Sequence, residues 1–158
     1  MIILREKRKG TYILILRLGK AARIRIGKLG VAEFNHGFYA YIGSAFGPGG
    51  LGGRINRHQK VKKPCHWHID YLRRKSRLKD IWYTVSPIRR EHEWARALAE
   101  TKGASIPIPG FGSSDCHCHS HLVYFESAPA LAMFRKNLDS LFPDDPMVRG
   151  ISGRDSLA

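Results

Sequence analysis

Hydrophobic positions come in short runs of changing period along this chain, and the periods predict its elements. Gly10–Leu18 is nearly all apolar, β-branched or aromatic, which predicts a central strand. Residues 23–26 (Arg-Ile-Arg-Ile) alternate, as a half-exposed strand does. Residues 31–34 and 38–42, set between turn signals at 27–30 and 35–37, complete what reads as an antiparallel meander. Residues 43–53, rich in glycine, read as a loop able to approach a ligand closely. A basic helix over 51–61 follows, then a short helix over 66–75 with Trp67, Tyr71 and Arg74 on one face and Ile69 and Leu72 on another. A strand over 78–85 stops at Ser86-Pro87, and a helix over 90–102 closes at Gly103. A Pro/Gly loop over 106–114, a short strand over 121–126 and a helix over 129–141 complete the pattern. The reading is one α+β domain over 1–142, with a polar, flexible tail over 143–158.

Composition narrows the partner. The 158 residues suffice for one core, and the formal net charge is +14. Solubility needs far less charge, whereas a polyanion rewards it through counterion release. Nucleic acid is therefore the expected partner. No stretch of eighteen apolar residues offers a membrane span, and the charges at Arg5–Lys9 follow the apolar start rather than preceding it, against a signal peptide. A cytoplasmic protein is expected. Three cysteines, Cys65, Cys116 and Cys118, make an odd count unsuited to a disulfide framework.

The candidate chemistry lies in two strands and one helix. Gly10-Thr11-Tyr12 opens the first strand, and Tyr41-Ile42-Gly43 ends a later one. Arg54 and His58 stand four apart, so they share a helix face beside the glycine-rich loop. Tyrosine or histidine can take a proton from water, and arginine can hold a phosphate bidentately. This set, with Arg54-Ile55-Asn56-Arg57-His58, resembles the GIY-YIG nuclease superfamily. Three further segments, Gly47-Pro48-Gly49-Gly50-Leu51, His66-Trp67-His68-Ile69-Asp70-Tyr71-Leu72 and residues 110–122, are similar to a poorly characterised small-protein branch of it (DUF123-like), also found fused to endonuclease III-type repair enzymes. The likeness covers residues 10–126 and departs from the superfamily in Thr11, in an extra hairpin over 23–34 and in a glycine-rich insertion before Arg54.

The resemblance implies a small antiparallel GIY-YIG-type sheet flanked by helices, with that hairpin added near the N-terminus. It implies catalytic roles for Tyr12 (general base or relay), Tyr41 (orienting water or phosphate), Arg54 (stabilising charge on the phosphoryl group) and His58 (proton transfer), with Gly43 and His66 as further candidates. It also implies an acid on a later helix holding Mg or Mn. Helical phase favours Glu91, which shares a stripe with Trp94, Ala95 and Leu98; Glu93 is the other candidate. The cysteine- and histidine-rich segment raises a second metal reading, zinc at Cys116, Cys118 and His121, completed by Cys65, His66 or His68. Its alternatives are local hydrogen bonding and substrate contact. Asp70 stands at the spacing to orient His66. Lys60, Lys62, Lys63, Arg73 and Arg74, continuing to Lys75, Arg77 and Lys79, form a basic run suited to phosphates.

The leading expectation is a divalent-metal-dependent endonuclease hydrolysing phosphodiester bonds in DNA, in repair or processing, with or without a protein partner. The alternative is a nucleic-acid-binding module on the same scaffold without catalysis, and a weaker one is a zinc-stabilised interaction domain.

Overall fold

A computed structural model of the chain describes residues 5–112, 120–144 and 147–153. The elements run β1 (Gly10–Leu18), β2 (Ala22–Arg25), a 3-10 turn (Gly27–Leu29), β3 (Val31–Phe34), β4 (Gly37–Ala45), α1 (Gly50–Gln59), α2 (His68–Arg73), β5 (Arg77–Val85), α3 (Glu91–Ala99), β6 (Leu122–Phe125), α4 (Leu131–Leu141) and β7 (Arg149–Ser152). The fold is α+β, built on a five-stranded antiparallel sheet in the order β6-β4-β1-β5-β7.

β1 is apolar over Tyr12–Leu16 because it lies in the middle of that sheet with both faces covered there, and Arg17 near its end is exposed. Tyr12, Leu14 and Leu16 point into one core layer, with Leu51 and Ile55 of α1 and Ile69 and Leu72 of α2. Ile13 and Ile15 point into the other, with Trp94 and Leu98 of α3 and Phe134 and Leu138 of α4. Alternation along this stretch thus serves two dry layers.

Two expectations are corrected here. The first four strands do not form a meander. β1 pairs directly with β4, while β2 and β3 pair only with each other as a separate ribbon. Two four-residue strands bury Ile24 and Phe34 against the first core layer and leave their other face to solvent, so they pack over the sheet rather than extend it. The segment after Phe142 is not a free tail over its described part. Arg149–Ser152 adds to β5, Val148 is buried, and the Thr84 hydroxyl donates to the Met147 carbonyl at 3.0 Å. The cause is the edge of β5, whose backbone groups need partners beside the apolar Ile81 and Trp82. Boundaries elsewhere shift by a few residues: β4 runs on to Ala45, and α1 begins at Gly50 inside the glycine-rich segment. Among the described residues no helix is long and apolar enough to cross a membrane.

Candidate active site

The β1–β4 register sets Tyr12 opposite Gly43 and Leu14 opposite Tyr41. A β-carbon at position 43 would collide with the Tyr12 hydroxyl, so only glycine lets the phenol lie across β4 there. The hydroxyl reaches His58 Nε2 at 2.7 Å, and both side chains are fully buried. Burial pushes the Tyr12 phenol well above its ordinary pKa, Tyr41 adds to this, and Arg54 opposes it. Burial also brings His58 down to about 3, so its ring is neutral; Nδ1 has no hydrogen-bond partner among the described residues. Tyr41 is raised by burial as well.

α1 supplies His58 and Arg54 from one face at different depths. His58 is inside, whereas Arg54, one turn nearer the helix start, is half-buried at the pocket wall. The helix begins at Gly50, whose left-handed φ of 58° and close approach to the Lys7 carbonyl require glycine. Its first amides are already used: Leu51 donates to the Arg8 carbonyl at 3.0 Å and Gly52 to the Glu6 carbonyl at 2.6 Å. At this helix start the glycine-rich segment therefore serves the chain's own backbone, while its earlier residues Gly43 and Gly47 line the pocket.

Trp67, just before α2, carries the Arg54 guanidinium 4.4 Å from its ring centre and that of Arg57 at 4.2 Å. Arg57 is fixed in turn by a bidentate pair with Asp70, 2.9 Å to each oxygen. Asp70 also accepts the backbone N–H groups of His66 at 2.8 Å and Trp67 at 3.0 Å. Burial alone would raise this carboxyl, but Arg57 and the two amides outweigh it and hold the pKa to about 2. The predicted pairing of Asp70 with the His66 imidazole is corrected: the carboxylate holds the His66 backbone, and the imidazole is exposed at the pocket.

These elements enclose a pocket of about 670 Å³, lined among others by Tyr41, Gly43, Arg54, His66, Trp67, His68, Glu91, His92 and His121. Of the two candidate acids Glu91 lines the pocket, largely covered and 3.8 Å from Arg89. Glu93 does not line it and pairs with Arg90 at 3.4 Å. His68 accepts the Gly112 amide at its Nδ1, at 2.9 Å, and burial lowers the pKa of both His68 and His121.

Donor chemistry can be tested against the metals expected. Among the described residues no group of three or more His, Cys, Asp or Glu is arranged to hold a metal ion. Mg or Mn does not require such a cage: one or two carboxylates with waters and substrate oxygens suffice. Glu91 fits that pattern as the one carboxylate among the described residues that line the pocket. For the zinc reading, Cys116 and Cys118 lie outside the described residues, and Cys65 is a half-buried free thiol.

The basic run divides. Lys60, Lys62 and Arg74 are exposed, with Arg74 donating to the Lys63 carbonyl at 3.0 Å. Lys63 is half-buried, its ammonium on the Lys60 carbonyl, and burial lowers its pKa to about 8. Arg73 is corrected as a phosphate contact. It is fully buried and donates to the carbonyls of His58 (2.9 Å), Gln59 (3.2 Å) and Ser76 (2.8 Å), tying α1 to the end of α2. Sequence reasoning missed the roles of Arg57 and Trp67, and also the pocket residues Phe46 and Arg89, whose guanidinium lies 4.6 Å from the Phe46 ring centre. The only signal was the i, i+3 spacing of Arg54 and Arg57, which lets both reach one neighbour.

A family model described as a domain of unknown function, DUF123, matches residues 11–142. No curated protein and no solved structure matches the chain.

Proposed function

The chain belongs to the DUF123 family, whose description assigns no activity, and we propose that it is a divalent-metal-dependent endonuclease hydrolysing phosphodiester bonds in DNA. One observation carries this reading: a single pocket combines a guanidinium (Arg54), a carboxylate (Glu91), a tyrosine hydroxyl (Tyr41) and, under its floor, a phenol hydrogen-bonded to a neutral imidazole (Tyr12 and His58). A binding module has no need of a buried phenol–imidazole pair beside a carboxylate. The +14 charge supplies the matching attraction for a polyanion.

In this reading Arg54, steadied by Trp67, holds the scissile phosphate and meets the negative charge that grows on it. Tyr41 is protonated, because burial raises it, and its hydroxyl orients the attacking water. Tyr12 is protonated too, so it cannot act as a phenolate at neutral pH. Its oxygen accepts the water's proton while its own proton passes to His58 Nε2, a route open when the neutral imidazole carries its hydrogen on Nδ1. Glu91 would hold Mg or Mn, which when bound supplies charge for the phosphate oxygens and the leaving oxygen.

The test is nicking of supercoiled plasmid and cutting of branched, flapped and single-stranded DNA with Mg or Mn, then with chelator. Cleavage is expected only with metal, and Arg54→Ala or Glu91→Ala should lower it by about two to three orders of magnitude while DNA binding stays near the parent's. Normal cutting by both variants overturns the site. DNA binding that survives chelation, with no cutting of any substrate, selects the non-catalytic module instead.

A further inference from the structure

The β2–β3 ribbon has two unlike faces. Ile24 and Phe34 are buried against the sheet, while Arg23, Arg25, Val31 and Glu33 project outward in cross-strand pairs. Its tip is the 3-10 turn, with Lys28 and Leu29 exposed. Among the described residues no ion pair or hydrogen bond engages the side chains of Arg23, Arg25 or Lys28, not even Arg23 with Glu33 directly opposite. Exposed cations without partners, beside the two exposed apolar side chains Leu29 and Val31, form a surface that nothing in the fold explains.

The tip also lies next to the pocket. Position 110 faces the Leu29 side chain, and Gly112, two residues on, packs against Tyr41 and lines the cavity. On its other side the turn meets Tyr71 of α2, whose first residue, His68, lines the same cavity. Lys28 lies in the turn that makes these contacts, and Arg25 and Arg23 follow farther back along β2.

We propose that the outward face of this ribbon is a duplex-DNA contact that tracks the flank of the strand held in the pocket. Charge complementarity selects a polyanion. Shape selects a double helix: a two-stranded ribbon fits a major groove about 12 Å wide, and four residues of strand extend about 13 Å. Arg23, Arg25 and Lys28 contact phosphates, and Leu29 and Val31 lie against the groove's apolar surface. Glu33 is the one acid on this face and opposes binding. The inference rests on the nuclease reading for what occupies the pocket, but its test does not use cleavage.

The experiment is fluorescence-anisotropy titration of the full chain, in chelator, with a labelled duplex and with one of its strands alone, across a salt series. The expected result for R23A/R25A/K28A is a 10- to 100-fold weaker duplex affinity, a log–log salt slope smaller by about two to three, and single-strand affinity changed far less. R23K/R25K should restore most of the binding, and E33Q should tighten it by a few-fold. All substituted side chains point outward, so melting temperatures should match the parent's. Equal duplex affinity in the triple variant, or a parent that binds only single strands or an acidic protein, overturns the ribbon. Ribbon-dependent duplex binding by a parent that never cuts would leave the ribbon standing and overturn the nuclease reading.

Discussion

Tyr12 and His58 show what one buried hydrogen bond imposes on a side chain. His58 titrates near 6.5 in an unfolded chain but at about 3 in the fold, because burial disfavours its charged form. Between those values the unfolded state binds the extra proton, so stability falls as pH drops through this window and is unaffected by His58 above it. Moving from pH 7 to pH 5 should cost about 2 kcal/mol from this residue, seen as a lower urea midpoint. In His58→Gln that loss should shrink to the smaller part due to His68 and His121, which burial lowers in the same direction. Asp70 does not confuse a comparison of pH 7 with pH 5, since its carboxyl, depressed to about 2 in the fold, loses its contribution only as pH falls below the ordinary carboxylate range, under pH 5. Equal pH sensitivity in parent and variant would mean that His58 is hydrated or charged in the fold. The identities of Tyr12, Tyr41, Arg54, His58 and Glu91 were legible as a pattern of residue types. Their depths were not: Arg54 and His58 share a face, yet one lines the pocket wall and the other lies behind Tyr12. Arg73 shows the same limit, because a guanidinium in a basic run looks like a phosphate ligand until the carbonyls around it are known.

At the scale of elements, α1 and α2 are joined through Arg57, Asp70 and Trp67. Six residues of helix cannot hold themselves together in water, so α2 depends on its first-turn carboxylate, which accepts two amides and pairs with Arg57. Removing Arg57 leaves Asp70 buried with its charge but without its cation. Arg57→Ala should therefore destabilise by about 3 kcal/mol, the low end for a broken buried pair, because the two amides remain and Arg57 is partly exposed. Denaturant unfolding measures this, and the Asp70→Asn/Arg57→Ala double variant should recover part of the loss, since no bare charge is left inside. A loss of less than 1 kcal/mol would show that the amides alone satisfy Asp70. The periodicity of the 66–75 segment made α2 legible, with Ile69 and Leu72 buried together. What the pattern could not carry was pairing. Alternation marks β2 as a half-exposed strand, but the same alternation suits a meander and a separate ribbon. The choice fell to whether β1 could pair better with β4, a nine-residue partner of matching length.

The whole sheet has two edges, and the chain ends deal with one of them. Residues past Phe142 read as tail because they are polar and lack periodicity, and a four-residue strand with one half-buried isoleucine, Ile151, leaves almost no pattern to find. Its stabilisation comes from long-range partners instead: β5's open edge, the Val148 side chain in the second core layer, and two donors that reach back to its carbonyls, Thr84 to Met147 and Arg135 to Val148. Ending the chain after Asp144 would expose the β5 edge, reopen the pocket that holds Val148 and strand both donors. Burial of one valine is worth about 1.5–3 kcal/mol and each hydrogen bond about 1 kcal/mol, offset by the entropy of ordering the segment, so a net loss of about 2 kcal/mol is expected. For a domain of this size that lowers the melting temperature by roughly 4–8 °C. None of the described residues lining the pocket belongs to β5 or β7, so the proposed DNA binding should survive the truncation at low temperature even as the β5 edge makes the protein prone to self-association on heating, visible as rising light scattering. An unchanged melting temperature would show that β7 is a loose addition, and loss of DNA binding at 4 °C would show that the sheet's far edge helps shape the site.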